Sequence, residues 1–332
     1  PIFGIVTTMT LDQKERVSLN SIGRIFAIFA GIVTGILLPL VRQSLGGWAT
    51  TVIVLSILSA AMMIPMCLFA KERVIEREKA RDGGAEENYT LRDMVECLRS
   101  NKYLLIFFAA PLINSLLNIG ATWGLYIARY CLGGEEIASF VSMAVIVPTL
   151  IGAAIAVQLC KKYDKFKIFY FSYMFALILG IVRYIAGYEN MMVYVILNAL
   201  GGFPLGIAAI LQYQFTPDCY EYGQYKTGLK MRGVTFAAQT FFTKLNGAIA
   251  TAVSVFALTL IGFKEGEGVI QAAGFADKLW TFSCLGSIIG GIGTLLILRL
   301  YKLNDHDVQL MSKCNNGEIT REEAEAQMIN RY

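Results

Sequence analysis

The chain has little of what a soluble enzyme is built from. It holds a single histidine, His306, among 332 residues, and only 16% of its residues are charged. A soluble domain usually carries about 25% charged residues. Seven cysteines (Cys67, Cys97, Cys131, Cys160, Cys219, Cys284 and Cys314) are scattered with no close pair. That spacing indicates neither a disulfide framework nor a metal-ligand cluster. His306 lies between Asp305 and Asp307 in a polar tail, where a solvated setting is expected. The acidic residues near Asp12 and Asp218–Glu221 alternate with Lys and Arg, and no nucleophile–base pair is evident. This speaks against catalysis, including the magnesium-diphosphate chemistry of membrane prenyltransferases, which needs clustered aspartates.

What the chain has instead is long apolar runs. Hydrophobic residues make up 55% of it, and the charges fall in short clusters between the runs. Crossing a bilayer takes about 20 apolar residues in a helix. Eight such runs stand near 18–41, 48–70, 103–130, 137–159, 168–186, 191–215, 234–263 and 279–298. No soluble core buries so many uniformly apolar helices. The expected class is an all-α polytopic membrane protein with the lipid bilayer as its solvent.

The net charge of +4 then has a topological reading and does not point to nucleic acid. Loops 10–17, 71–102, 160–167, 216–233 and 299–332 hold 22 of the 29 Lys and Arg residues, and the alternate loops hold three. By the positive-inside rule the rich loops, including the central loop and the C-terminus, are expected in the cytoplasm. Multi-pass insertion with these loops on the cytoplasmic side is the expected arrangement.

The order of runs predicts a two-bundle plan that is incomplete at its start. Pro1 to Met9 is apolar but spans only about 13 Å as helix. Two and a half spans precede the charged stretch 71–102, and six follow it. The expected divisions are 1–70, a remnant of a first six-helix bundle, and 71–102, a central loop. A second bundle over 103–301 and a tail over 302–332 complete them. Thr90 and Asp93 are placed to cap a short helix ending near Arg99, and Thr320 with Glu323 to form a capping box for a helix through Met328. Gly31 with Gly35, and Gly286 with Gly290, have the spacing of close helix packing. Pro39, Pro111, Pro148 and Pro204 are placed to kink their helices.

Four basic residues fall inside the spans. Arg129 and Arg183 sit near outer ends, where snorkelling to the interface is expected. Lys244 stands twelve residues past Arg232, about 18 Å deep, and Arg24 is about 12 Å deep. A buried ammonium at mid-depth costs on the order of 3 kcal/mol, so it is expected to face a partner or a polar cavity. No span of this chain carries a carboxylate. A wet binding cavity is therefore expected beside Lys244 and Arg24. Asn114, Asn118, Gln239 and Thr243 are candidate solute contacts, with helix glue as the alternative for Asn and Gln.

Two spaced stretches carry a resemblance. The first is Leu11-Asp12-Gln13-Lys14-Glu15-Arg16 with Arg24-Ile25-Phe26. The second runs Asp218-Cys219-Tyr220-Glu221-Tyr222-Gly223-Gln224-Tyr225, then Gly228, Arg232, Gly233, Gln239-Thr240 and Lys244. Together they resemble the glycoside–pentoside–hexuronide:cation symporter family of the major facilitator superfamily, from the end of its helix 4 through helix 12. The resemblance implies symport of a sugar or glycoside with sodium, lithium or a proton, and no cofactor. It implies that Arg24 binds the sugar and that Lys244 stands between the sugar and cation sites. Phe3 falls where the family carries a sugar-stacking tryptophan, and the family's cation carboxylates lie upstream of Pro1. Asp12, Glu15 and Arg16, with Asp218, Glu221, Lys226 and Arg232, are expected to close the cytoplasmic mouth by opposite charges. The competing expectation on this fold is a lipid or lysolipid transporter, or a non-transporting sensor.

Overall fold

The computed structural model describes residues 22–23, 26–27, 29–31, 48–69, 91–120, 122–134, 136–229, 232–264 and 270–332. They fall into two compact units, residues 1–88 and 89–332. In the first, residues 22–23, 26–27 and 29–31 are helical, and α1 runs Trp48–Phe69 with Pro65 inside it. Most of the expected span 18–41, with Gly35 and Pro39, lies outside the described residues.

The second unit is helical throughout its described elements. In chain order they are α2 (Leu91–Ser100), α3 (Lys102–Leu117), α4 (Gly124–Cys131), α5 (Glu136–Leu159), α6 (Lys165–Ala186) and α7 (Met191–Leu211). There follow α8 (Phe215–Thr227), α9 (Arg232–Leu260), α10 (Phe275–Leu298), α11 (Asp305–Asn315) and α12 (Arg321–Gln327). Among the described residues five helices are long and apolar enough to cross a membrane, and Thr50–Pro65 and Lys102–Leu117 are shorter apolar helices.

Two expectations need correction. The run 103–130 is not one continuous span, because the helix stops at Asn118 and restarts after Trp123. Asn118 leaves helical geometry with ψ 68°, and its backbone N–H still bonds the Asn114 carbonyl. Gly120 lies so close to α10 that an added Cβ would stand 2.7 Å from the Ser283 Cβ. Apolarity alone cannot report such a break, since every residue in it suits hydrocarbon. The stretch 216–233 is likewise not a plain loop. Residues 215–227 form α8, closed by Gly228 at a φ of 75° that favours glycine. Its composition is polar, so the span-finding signal ended there while the helix did not.

Packing explains why this unit holds together. α5 and α7 cross at near-contact, where a Cβ on Gly206 would overlap the Thr149 carbonyl and one on Gly202 would stand 2.6 Å from the Val145 carbonyl. Backbones approach that closely only across small residues. The expected close pair Gly286 and Gly290 is present, seated on Ile119 and on Asn114 and Asn118. Pro111, Pro148 and Pro204 lie inside α3, α5 and α7. One aromatic core gathers Tyr103, Phe107, Phe169, Phe215, Tyr222 and Tyr301 at the basic end. A second gathers Trp123, Tyr194, Phe275, Leu279 and Trp280 at the far end.

The stretch after α10 folds back on the first core. Tyr332 lies edge-on to Tyr103 at 5.9 Å and tilted against Tyr222 at 6.0 Å. The Asp307 carboxylate accepts from Ile329 N–H at 2.8 Å, Asn330 N–H at 3.1 Å and the Tyr332 hydroxyl at 2.7 Å. Burial opposes ionisation of Asp307, but these donors together with the Asn304 amide outweigh it and hold the carboxyl below its ordinary range. The Thr320–Glu323 capping box forms as expected and opens α12. The helix expected to end near Arg99 is α2, while its Thr90 cap lies outside the described residues. His306 is more than half exposed, with Nδ1 3.3 Å from Asp307.

Candidate solute-binding site

Between the two aromatic cores, the middle of the second unit is polar. Ser115 Oγ donates to Asn246 Oδ1 at 2.6 Å, joining α3 to α9. Thr122, in the helix break, bonds Ser254 of α9, whose carbonyl also accepts the Trp123 indole N–H at 3.1 Å. Ser287 of α10 donates to Asn118 Oδ1 at 3.0 Å. Ser115 is about 20 Å along from the start of α3 and Asn246 about 21 Å from the start of α9, so the seam sits at mid-depth. Buried polar groups in a membrane must be satisfied internally, and these satisfy one another.

This seam sorts the candidate contacts. Asn114 and Asn118 turn toward α10, where a Cβ on Gly290 would stand 2.8 Å from Asn114 Oδ1 and 3.1 Å from Asn118 Cβ. In this structure they serve the α3–α10 contact. Of the partners that bind α3 and the break to α9, the sequence points to Thr122, one turn past Asn118, but not to Ser115, Asn246 or Ser254. Isolated Ser and Thr give no signal in an apolar run, because their hydroxyls satisfy themselves on the preceding turn.

Gln239, Thr243 and Lys244 stand together on α9. Phe242 faces inward and stacks on Phe108 of α3 at 4.7 Å. Lys244, two residues on, points to the opposite side and is exposed. Among the described residues it has no ion-pair partner. Residues three, four and seven apart share a helix face, so Thr240, Gly247 and Thr251 line up with it, Thr243 stands on the adjoining face, and all are exposed. Each threonine hydroxyl donates to its own helix: Thr240 to Phe236 O at 3.1 Å, Thr243 to Gln239 O at 2.7 Å and Thr251 to Gly247 O at 3.0 Å. Their protons are committed, which leaves the oxygens as acceptors. This wedge of exposed α9 surface thus presents one ammonium with three donors beside a row of hydroxyl acceptors. Such a surface is matched by a solute rich in hydroxyl groups.

The charged residues at the basic end are engaged elsewhere. Asp218 is buried on α8 and both its oxygens lie 2.8 Å from Lys165 Nζ. Lys165 also reaches Asp305 at 3.1 Å. Glu221 accepts from Asn315 Nδ2 at 2.9 Å, and Lys226 donates to the Tyr222 hydroxyl at 3.4 Å. Asp218, Glu221 and Lys226 therefore have partners within their own unit. Phe3, Asp12, Glu15, Arg16, Arg24 and the Arg232 side chain lie outside the described residues. Of the two outer-end arginines, Arg183 is half-buried and donates to Asn198 Oδ1 of α7 at 3.3 Å, so it is tied to a neighbouring helix. Arg129 lies over the Tyr130 ring at 5.4 Å.

A family described as MFS/sugar transport protein matches residues 1–305. The chain belongs to that family. It is a multi-pass membrane protein of the major facilitator fold. Similar proteins include the putative glycoside/cation symporter YagG of Escherichia coli, 24% identical over 94% of this chain and 68% of the relative. The symporter YnaJ of Bacillus subtilis is 25% identical over 82% of this chain and 60% of its own length. The isoprimeverose transporter of Lactiplantibacillus pentosus is 22% identical over 79% of this chain and 56% of its length. The chain thus spans about 56 to 68% of the length of these relatives.

Proposed function

We propose that this chain serves secondary active transport, carrying a sugar, glycoside, pentoside or hexuronide inward with a monovalent cation by alternating access. The observation that carries the reading is Lys244, an exposed cation at mid-depth of a membrane helix, flanked by threonine oxygens. Water or a polar solute must cover it, since lipid will not. A hydroxylated solute satisfies both sides of the wedge, its oxygens accepting from the ammonium and its O–H groups donating to the threonines. The relatives named as glycoside/cation symporter and isoprimeverose transporter support a sugar as that solute. Lys244 is also the residue proposed to couple the two solutes, since the family resemblance implies that it stands between the sugar and cation sites. The coupling ion is sodium, lithium or a proton. The membrane is the bacterial cytoplasmic membrane, with the basic loops inside, which the charge asymmetry of the loops supports.

Sugar counterflow by the full-length protein in proteoliposomes tests the reading. Exchange is expected with at least one member of a panel of hexosides, pentosides and uronides, and it should require sodium, lithium or a proton. Failure with every sugar, together with exchange of lysophospholipid, replaces the reading with lipid transport.

A further inference from the structure

The turn between α5 and α6 and the end of α10 meet at one edge of the basic end. Lys161, Lys162, Lys167 and Arg299 are exposed there, and among the described residues none is in an ion pair. The acids beside them are already occupied. Asp164 caps α6 by accepting from Phe166 N–H at 2.9 Å and takes Asp305 N–H at 2.8 Å. Asp305 returns the bond, accepting from Lys165 N–H at 2.9 Å while also holding the Lys165 ammonium. The two helix starts thus exchange carboxylates, and the four outer cations outnumber the acids beside them.

Their position is set by the lipid-facing stripes. Lys167 stands one turn before Phe171, which begins the exposed row Phe171, Phe175, Ile178 and Val182 of α6. Arg299 extends the exposed row Ile289, Ile292 and Leu296 of α10. The guanidinium is held against α6, with Nε donating to the Tyr170 hydroxyl at 3.2 Å. Tyr163 is 60% exposed beside the lysines, the place where amphipathic rings settle at a membrane interface. Cations at the foot of apolar rows stand level with lipid phosphates.

We propose that this rim, Lys161, Lys162, Lys167 and Arg299, binds the headgroup of an anionic glycerophospholipid at the α6–α10 edge. Each cation near a membrane surface favours anionic lipid. A net-negative headgroup is selected over a zwitterionic one, whose own ammonium repels the rim. Tyr170 is a positioning residue that keeps Arg299 beside the lysines.

The test uses the full chain in detergent, titrated with phosphatidylglycerol, phosphatidylcholine or inorganic phosphate, with melting temperature as the readout. Phosphatidylglycerol is expected to raise it by about 5 °C and the other two to leave it unchanged. In the combined variant Lys161→Gln, Lys162→Gln, Lys167→Gln, Arg299→Gln the half-saturating lipid concentration should rise by about tenfold or more, with an unchanged melting temperature in phosphatidylcholine. Lys313→Gln with Arg331→Gln should keep the full response. Tyr170→Phe should raise the half-saturating concentration about threefold. An undiminished response in the four-site variant, or equal loss in the Lys313/Arg331 variant, overturns the site. A response to inorganic phosphate alone overturns the lipid. Should the four-site variant not fold, Lys161→Gln with Lys162→Gln, and Tyr170→Phe, carry the same comparison. None of these readouts depends on sugar, so they stand apart from the counterflow result.

Discussion

Lys165 and Asp218 meet at the basic end of the second unit, with the ammonium 2.8 Å from both carboxylate oxygens and each side chain less than one-fifth exposed. The pair ties the start of α6 to α8, and Asp305 adds α11 to the same ammonium. Removing one partner of a buried pair strands the other, at a cost of about 3–5 kcal/mol. Because Asp305 shares the ammonium, the cost is removed only when all three groups are made neutral.

Asp218→Asn should therefore lower the melting temperature in detergent, and Lys165→Met with Asp218→Leu and Asp305→Asn should recover most of the loss. Were Asp218 chiefly a partner for charges elsewhere in the protein, the single variant would melt like wild type. A thermal scan of the three proteins decides.

In the full-length protein, Lys244→Ala should abolish coupled sugar accumulation while membrane insertion stays at wild-type level. Lys244→Arg keeps the charge but spreads it over a planar fork, and should retain binding with weakened accumulation. Uptake of labelled sugar, set against the amount of protein in the membrane, measures both. Normal accumulation by Lys244→Ala removes this residue from the mechanism.

Gly206→Val places a side chain against the Thr149 carbonyl, which backbone cannot yield. The expected cost is about 3 kcal/mol or more, seen as lost monodisperse protein after extraction. Asn246→Ala, by contrast, removes one hydrogen bond from the mid-depth seam and should cost only about 0.6–1.7 kcal/mol. Equal damage from both substitutions would contradict the packing described for α5 and α7.

Asp307 gives the stretch 301–332 an acid limit. Its carboxyl titrates below the ordinary range when folded, so the stabilisation it supplies is complete above the unfolded value of about 3.9. That stabilisation fades as pH falls from there through the folded value. Hydrogen exchange at the Ile329 and Asn330 amides should be steady in protection between about pH 5 and 8 and lose it below about pH 4. Asp307→Asn should lose protection at every pH.

The sequence by itself determined the membrane class, the presence of long apolar helices and the clustering of basic charge between them, because bilayer thickness and the cost of buried charge are properties of composition along the chain. It also placed Lys244 at depth and set the Thr320 cap, since rise per residue and local capping need no tertiary information. Only the tertiary structure decided that 103–130 is broken at Asn118–Trp123, and that Asn114 and Asn118 serve α10 while Ser115 and Thr122 reach α9. It alone paired Asp218 with Lys165, 53 residues away in the chain. Which face of a uniformly apolar helix meets which neighbour carries little signal in a hydropathy pattern. The packing of small residues and the pairing of hydroxyls across helices choose that face.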